Sequence, residues 1–196
     1  MTSVLVLASA NPDKAVEIRD ILRLTLPGLE LRVRPDDLGD VDETGETLED
    51  NARLKAEAVS AATGLPAVAD DTGLEVRALD GAPGVGTARY AGPGATYARN
   101  VAKLLRAMDG VSDRAARFRT VALVRWPDGR EVMAEGWVDG TIATAARGAA
   151  GFGYDPVFEP EGGGGLTFAE LGLDRKQTLS HRARAFRALA AKLERP

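Results

Sequence analysis

The chain has no cysteine and a single histidine. Without thiols there can be no disulfide, no cysteine nucleophile and no thiolate-held zinc. One imidazole cannot build a multi-histidine metal centre. Any metal would have to sit among carboxylates, which selects hard cations such as magnesium or manganese. A long apolar run is missing too: nothing approaches the roughly 18 residues of a membrane span. The opening stretch MTSVLVLASANPDK is apolar but lacks a basic flank. It reads as a first strand rather than a signal peptide or membrane helix, and the protein is expected in the cytoplasm. Basic excess is absent as well. Lys and Arg number 25 against 29 Asp and Glu, a net charge of -4. That balance argues against nucleic acid or an anionic membrane as partner.

What is present is enough to fold. The 196 residues are 44% hydrophobic, which supports a sizeable core in one domain, 1–196, or one domain with two lobes. Val4 to Ala8 is a continuous apolar run, as in a strand buried on both faces. A helix is predicted next, with a stripe of Val16, Ile18, Ile21, Leu22 and Leu24, ending at Pro27-Gly28. Leu29 to Arg34 alternates and reads as an outer strand. Thr47 to Asp50 opens a second helix in a loose capping box, with Gly64 as its C-cap. Ala67 to Ala69 reads as a short strand running out at Asp70-Asp71, where a Thr-Gly turn begins. Residues 81–94 are glycine-rich loop, followed by a helix from Thr96 to Met108. Phe118–Trp126 and Arg130–Val138 flank Pro127-Asp128-Gly129, a hairpin signal. Gly162 to Gly165 reads as a flexible surface turn, and Leu179 to Leu193 as a last helix. Strands interleaved with helices plus one hairpin predict an α/β fold with a mixed sheet.

Several constellations stand out. Ser9, Asn11 and Lys14 lie at a strand-to-helix turn, where backbone amides, the helix dipole and a lysine make a phosphate seat. The ordinary alternative is a capping turn. Asp70 and Asp71 are adjacent carboxylates after an apolar strand, and burial makes such a pair costly unless a cation compensates. Side chains alternate along a strand, so one aspartate can face a metal site while the other faces away. Glu43 adds a third acid. Asn51 and Lys55 share one face of the second helix. Gly151-Phe152-Gly153-Tyr154-Asp155 sets aromatics among glycines, which lets backbone approach a ligand and a ring stack on a base. Lys176, His181 and Arg182 gather donors near a helix start, where Arg suits a carbonyl on a base edge.

Taken together the motifs resemble the Ham1/inosine triphosphatase family, which hydrolyses non-canonical purine nucleoside triphosphates. The resemblance rests on LASANPDK (7–14), ETGETLEDNARLKA (43–56), LPAVADDTGLEV (65–76), GAPGVGTARYAG (81–92), GFGYDPVF (151–158) and KQTLSHRARA (176–185). It implies an elongated mixed sheet with flanking helices, forming two lobes around a substrate groove, in a homodimer. It further implies magnesium-dependent conversion of ITP, dITP and XTP to the monophosphate and pyrophosphate. By resemblance, Ser9, Asn11 and Lys14 bind triphosphate, and Glu43 and Asp71 bind metal. Asp71 is also the general base, and Thr72 contacts substrate. Phe152, Gly153, Tyr154 and Asp155 form the base pocket, with Lys176, His181 and Arg182 beside it. Asp70, Lys55 and Asn51 are supporting residues, and the division of roles between Asp70 and Asp71 stays open. Ser9-Ala10 stands where Thr-Gly is common, Thr72 where Ser is common, and Ala183 where Gly is frequent.

The residues fit that chemistry. His181 and Arg182 can donate to a keto oxygen at purine position six, and an adenine amino group offers them no comparable acceptor. Two rival expectations remain: a nucleotide-binding module without chemistry, and a Maf-like pyrophosphatase of different base preference. The dense acidic cluster disfavours the first, and the SHR and FGYDP blocks disfavour the second.

Overall fold

The computed structural model describes residues 4–194. Among them seven strands form one sheet in the order β2-β1-β3-β5-β6-β7, with β4 paired to β3. The strands are β1 (Val4–Leu7), β2 (Glu30–Val33), β3 (Ala67–Val76), β4 (Pro83–Gly84), β5 (Ala115–Arg125), β6 (Glu131–Ile142) and β7 (Phe158–Pro160). The helices are α1 (Pro12–Thr25), α2 (Leu48–Thr63), α3 (Tyr97–Ala107), α4 (Leu173–Leu179) and α5 (His181–Leu193). β1 runs parallel to both β2 and β3, whereas β3–β4 and β6–β7 are antiparallel. The sheet is therefore mixed, as the alternation of strands and helices predicts.

Contacts divide the chain into two compact units. The first holds the chain up to Asp71, Thr120–Gly136 and the chain from Arg182 onward; the second holds Thr72–Arg119 and Trp137–His181. Each has its own core. In the first, Leu5 and Leu7 of β1 pack with Ile18, Ile21 and Leu22 of α1 and with Phe186 and Leu189 of α5. In the second, Leu74, Leu104, Met108, Phe118, Phe158 and Phe168 form the cluster. Full burial of each such side chain stabilises by about 1.5–3 kcal/mol.

Local signals set most of the helix ends. Asn11 caps α1, with Pro12 at its first position. Thr47 caps α2 by accepting from the Asp50 amide, and Gly64 ends that helix in the left-handed conformation. Thr96 caps α3 in the same way as Thr47. At the Pro127-Asp128-Gly129 turn, the Trp126 amide donates to Arg130 O at 2.9 Å and the Gly129 amide donates to Trp126 O at 3.0 Å.

Four expectations need correction. β3 does not end at Asp70; it continues to Val76, so both aspartates lie inside a ten-residue strand. The Asp-Thr-Gly turn signal is overridden by pairing, because β4 joins at Leu74 and Glu75. Val16 and Leu24 belong to no buried stripe: they are 53% and 75% exposed, and α1 buries Ile18, Ile21 and Leu22. The last helix starts at His181 rather than Leu179, because Ser180 is extended and Leu179 ends a separate helix, α4. Within the four-glycine turn Gly163 is buried, and its amide donates to Pro160 O at 2.9 Å.

Candidate active site

The two aspartates of β3 point to opposite faces, each meeting its own set of partners within the first unit. Asp70, 2% exposed, faces α1 and α5. Its Oδ2 lies 3.4 Å from Lys14 Nζ and 3.3 Å from Arg182 Nε. Arg182 Nη1 in turn donates to Glu17 Oε2 at 2.5 Å. Burial raises the Asp70 pKa, but Lys14, Arg182 and Lys55 together hold its carboxyl well below the ordinary carboxylate range. Burial also dominates at Lys14, and with Lys55 and Arg182 it lowers that ammonium's pKa despite Asp70.

Asp71, 5% exposed, faces α2. Lys55 Nζ donates to Asp71 Oδ1 at 2.7 Å and to Glu43 Oε1 at 2.9 Å. Asn51 Nδ2 lies 3.5 Å from Asp71 Oδ2, at the limit of hydrogen bonding. Here burial wins: it pushes the Asp71 carboxyl above its ordinary value against the pull of Lys55 and Lys14. Lys55 shows the reverse balance. Burial works against its charge, yet Asp71, Asp70 and Glu43 together raise its pKa.

The Glu43 loop is fixed to the same centre. Asn51, fully buried, accepts the Gly45 amide on Oδ1 at 2.8 Å. A Cβ on Gly45 would lie 2.6 Å from Asp50 Cβ and 2.7 Å from Asn51 Oδ1, so only glycine fits without movement. Asn51 therefore holds the acidic loop and Asp71 with one amide group.

At the start of α1 the capping role of Asn11 is realised. Its Oδ1 accepts the Asp13 amide at 2.9 Å and the Lys14 amide at 3.3 Å. Those two amides are therefore taken up by the cap rather than left for phosphate. The positive helix end and the Lys14 ammonium remain as anion-attracting elements beside Ser9. Ser9 Oγ lies 3.4 Å from Asn11 O.

In the second unit, a different cluster forms around Asp155. Its Oδ2 accepts the Phe152 amide at 2.9 Å and Lys176 Nζ at 2.5 Å. Lys176 Nζ lies 4.9 Å from the Phe152 ring centroid, within cation–π range. Gly151 has φ +76, and a Cβ there would lie 2.0 Å from Asp155 Oδ2. Gly153 also has positive φ, at 63. The Tyr154 hydroxyl donates to Thr87 O at 3.0 Å, and burial raises its pKa far above the usual tyrosine range. His181 stacks on Phe118, with centroids 4.6 Å apart. Thr72 opens this unit on β3, one residue after Asp71.

The predicted residues thus fall into two groups. Ser9, Asn11, Lys14, Glu43, Asn51, Lys55, Asp70, Asp71 and Arg182 lie in the first unit; Thr72, Phe152, Gly153, Tyr154, Asp155, Lys176 and His181 lie in the second. His181 and Arg182 are neighbours in sequence but have different tasks here. Arg182 engages Glu17 and Asp70, while the imidazole packs on Phe118. Glu17 carries no motif of its own, although its i+3 spacing from Lys14 places both on one helix face. Among the described residues no group of three or more acid, histidine or cysteine side chains is arranged to hold a metal ion. No helix among them is long and apolar enough to cross a membrane.

Known proteins resemble this chain along nearly its whole length. The profile of the Ham1 family matches residues 5–192. The dITP/XTP pyrophosphatase of Porphyromonas gingivalis is 50% identical over 92% of this chain and 92% of its own. That of Chlorobaculum tepidum is 47% identical over 96% and 92%. The solved HAM1 protein of Coxiella burnetii superposes with a TM-score of 0.86 at 39% identity, covering 100% of both chains. The Ham1 protein of Staphylococcus aureus gives 0.83 at 40% identity, covering 97% of this chain and 98% of its own. The mixed α/β fold is the one these structures have, and this chain belongs to the Ham1 family.

Proposed function

We propose that the protein hydrolyses non-canonical purine nucleoside triphosphates, namely ITP, dITP and XTP, to the monophosphate and pyrophosphate by attack of water at the α-phosphorus. The relatives named for dITP and XTP support the substrate class. The carrying observation is the pair of oppositely placed aspartates on β3. Asp70 is neutralised by Lys14 and Arg182, whereas Asp71, more basic than an ordinary carboxylate, stands between Lys55 and Asn51.

On this reading Asp71 accepts the proton of the attacking water, since raised basicity suits a general base. Lys14, with the positive end of α1 and Ser9, holds the triphosphate and keeps the reacting groups in line. Asn51 fixes Asp71 and the Glu43 loop. Asp70 and Glu17 position Arg182 and hold Lys14 rather than act on substrate. Glu43 and Asp71 offer an all-oxygen donor pair, which fits a magnesium or manganese ion that keeps most of its shell for water and phosphate. When bound, such an ion neutralises charge developing on the phosphate oxygens.

The base is assigned to the second unit. Phe152 supplies a stacking face, Lys176 an ammonium that donates to a keto oxygen, and Asp155 sets both; Gly153, Tyr154, His181 and Thr72 are assigned to the same subsite. Adenine presents an amino group at that position, so hydrogen bonding discriminates against it. The same reading includes a homodimer and a cytoplasmic setting.

The test is product release from dITP, XTP, GTP and ATP, with magnesium and with EDTA. Pyrophosphate and monophosphate should appear in equal amounts from dITP and XTP, at least about a hundredfold faster than from ATP. EDTA and Asp71→Asn should each abolish it. Release of orthophosphate instead would place attack at the γ-phosphorus and sink the proposal.

A further inference from the structure

The glycine-rich block at 81–92 has no part in the chemistry assigned so far, yet it is tied down more heavily than a connecting loop requires. Its anchor is Asn100 on α3, 2% exposed. The Asn100 Oδ1 accepts the Ala91 amide at 2.7 Å. Its Nδ2 donates to Ala88 O at 2.9 Å and to Thr87 O at 3.4 Å. One buried amide side chain thus satisfies three backbone groups of a single turn, which offsets the cost of burying it. The Thr87 side chain fixes the other end. Its Oγ1 accepts the Leu74 amide at 2.8 Å and donates to Gly84 O at 2.5 Å.

The Thr87 carbonyl carries the connection onward. It accepts Asn100 Nδ2 on one side and the Tyr154 hydroxyl, at 3.0 Å, on the other. Tyr154 is 3% exposed and sits between Phe152 and Asp155, whose carboxylate binds both the Phe152 amide and Lys176. A displaced Thr87 carbonyl would leave a buried phenol without its acceptor, at a cost comparable to a lost hydrogen bond. The turn from Phe152 to Asp155 would then shift.

We propose that Asn100 is a positioning residue for base recognition, acting through the Thr87 carbonyl on Tyr154 and so on the Phe152–Asp155 turn. It touches no substrate. It sets how well the base is held and leaves the phosphate side unaffected. The proposal rests on the assignment of the base to Phe152, Asp155 and Lys176 made above.

The experiment uses the full-length protein with Asn100→Ala, Tyr154→Phe and the double variant. It measures KM and kcat for dITP, inhibition by inosine monophosphate and by inorganic pyrophosphate, and the melting temperature. Asn100→Ala should raise KM and the inhibition constant of inosine monophosphate roughly three- to tenfold, the worth of one hydrogen bond. The pyrophosphate constant should stay within about twofold, a fraction of that bond's worth. Tyr154→Phe should act in the same direction. The double variant should be no worse than the worse single one, because both act through one carbonyl. Should Asn100→Ala not fold, Asn100→Ser keeps a hydroxyl for part of the turn and must show the same split between the two inhibitors. Parallel shifts of both inhibition constants, multiplying effects in the double variant, or a drop in melting temperature alone would each overturn the proposal. A wild-type protein that releases no pyrophosphate from dITP would remove the underlying functional reading instead.

Discussion

Asp70 and Asp71 are adjacent on one strand, and their carboxyl groups are driven in opposite directions. Lys14 and Arg182 hold Asp70 below the ordinary range despite its burial, whereas burial lifts Asp71 above it despite Lys55. A lowered carboxylate adds stability above its unfolded pKa and loses it as pH falls through its folded pKa. A raised one costs stability above its folded pKa, and protonation relieves that cost.

Neutralising the two should therefore give opposite results at pH 7. Asp70→Asn takes from buried Lys14 and Arg182 the acid they share, leaving Arg182 with Glu17, and should destabilise by about 3–5 kcal/mol in urea unfolding. Asp71→Asn should leave stability equal to or above wild type while removing activity, a trade of stability for function at a working site. As pH falls below the ordinary carboxylate range, the gap between wild type and Asp70→Asn should narrow. Equal destabilisation by the two variants at pH 7 would contradict the assigned roles.

Lys55 joins Glu43 to Asp71. In Lys55→Met the stem stays and the charge goes, so the two carboxylates lose the ammonium that bridges them. Stability should fall by about 2 kcal/mol or more. Magnesium should restore part of it, because a cation now meets a carboxylate pair without a resident ammonium. The measurement is the rise in melting temperature on adding magnesium, compared with calcium-free and magnesium-free buffer. It should be larger for the variant than for wild type. An identical response in both would show that Glu43 and Asp71 are not the cation's ligands.

The parts of this architecture legible in the sequence are the ones fixed locally. Thr47 and Gly64 bound α2 because cap residues act within one turn. The Pro127-Asp128-Gly129 hairpin is readable for the same reason. The course of β3 was not, because the Asp-Thr-Gly signal is local while its correction comes from β4 and from the cations on either face. Glu17 is not legible in the sequence because its partner Arg182 lies 165 positions away. The motif at 176–185 singles out Arg182, but only the fold shows it held by two acids. Asn100 carried no signal at all: an asparagine in an otherwise ordinary helix gives no hint of the turn it will hold.

Gly45 makes a sharper prediction than the charged residues around it. An added Cβ would meet Asp50 and Asn51 at 2.6 and 2.7 Å. Gly45→Ala should push the Glu43 loop away from Asn51 and Lys55 with no change in charge. A displacement of about 1 Å at such a centre can cost a hundredfold, so kcat should fall at least about tenfold. The melting temperature should fall only slightly, because the loop covers no core. A variant with normal kcat would separate Glu43 from the chemistry.

Gly151 tests the proposed base subsite. Its positive φ disfavours any other residue, and its missing side chain leaves room for Asp155 Oδ2, which a Cβ would approach to 2.0 Å. Gly151→Ala must move the Asp155 carboxylate, and with it the Phe152 amide and Lys176 that it holds. Both the stacking face and the keto-oxygen donor proposed above would shift. KM for dITP should rise about tenfold or more, and the preference for dITP over ATP should shrink, because that preference rests on a placed hydrogen bond. Inhibition by inorganic pyrophosphate should not change, since Lys14 and the start of α1 lie in the other unit. Parallel loss of pyrophosphate inhibition would mean that the substitution disturbs the whole fold, and an unchanged preference would remove Lys176 and Asp155 from base selection.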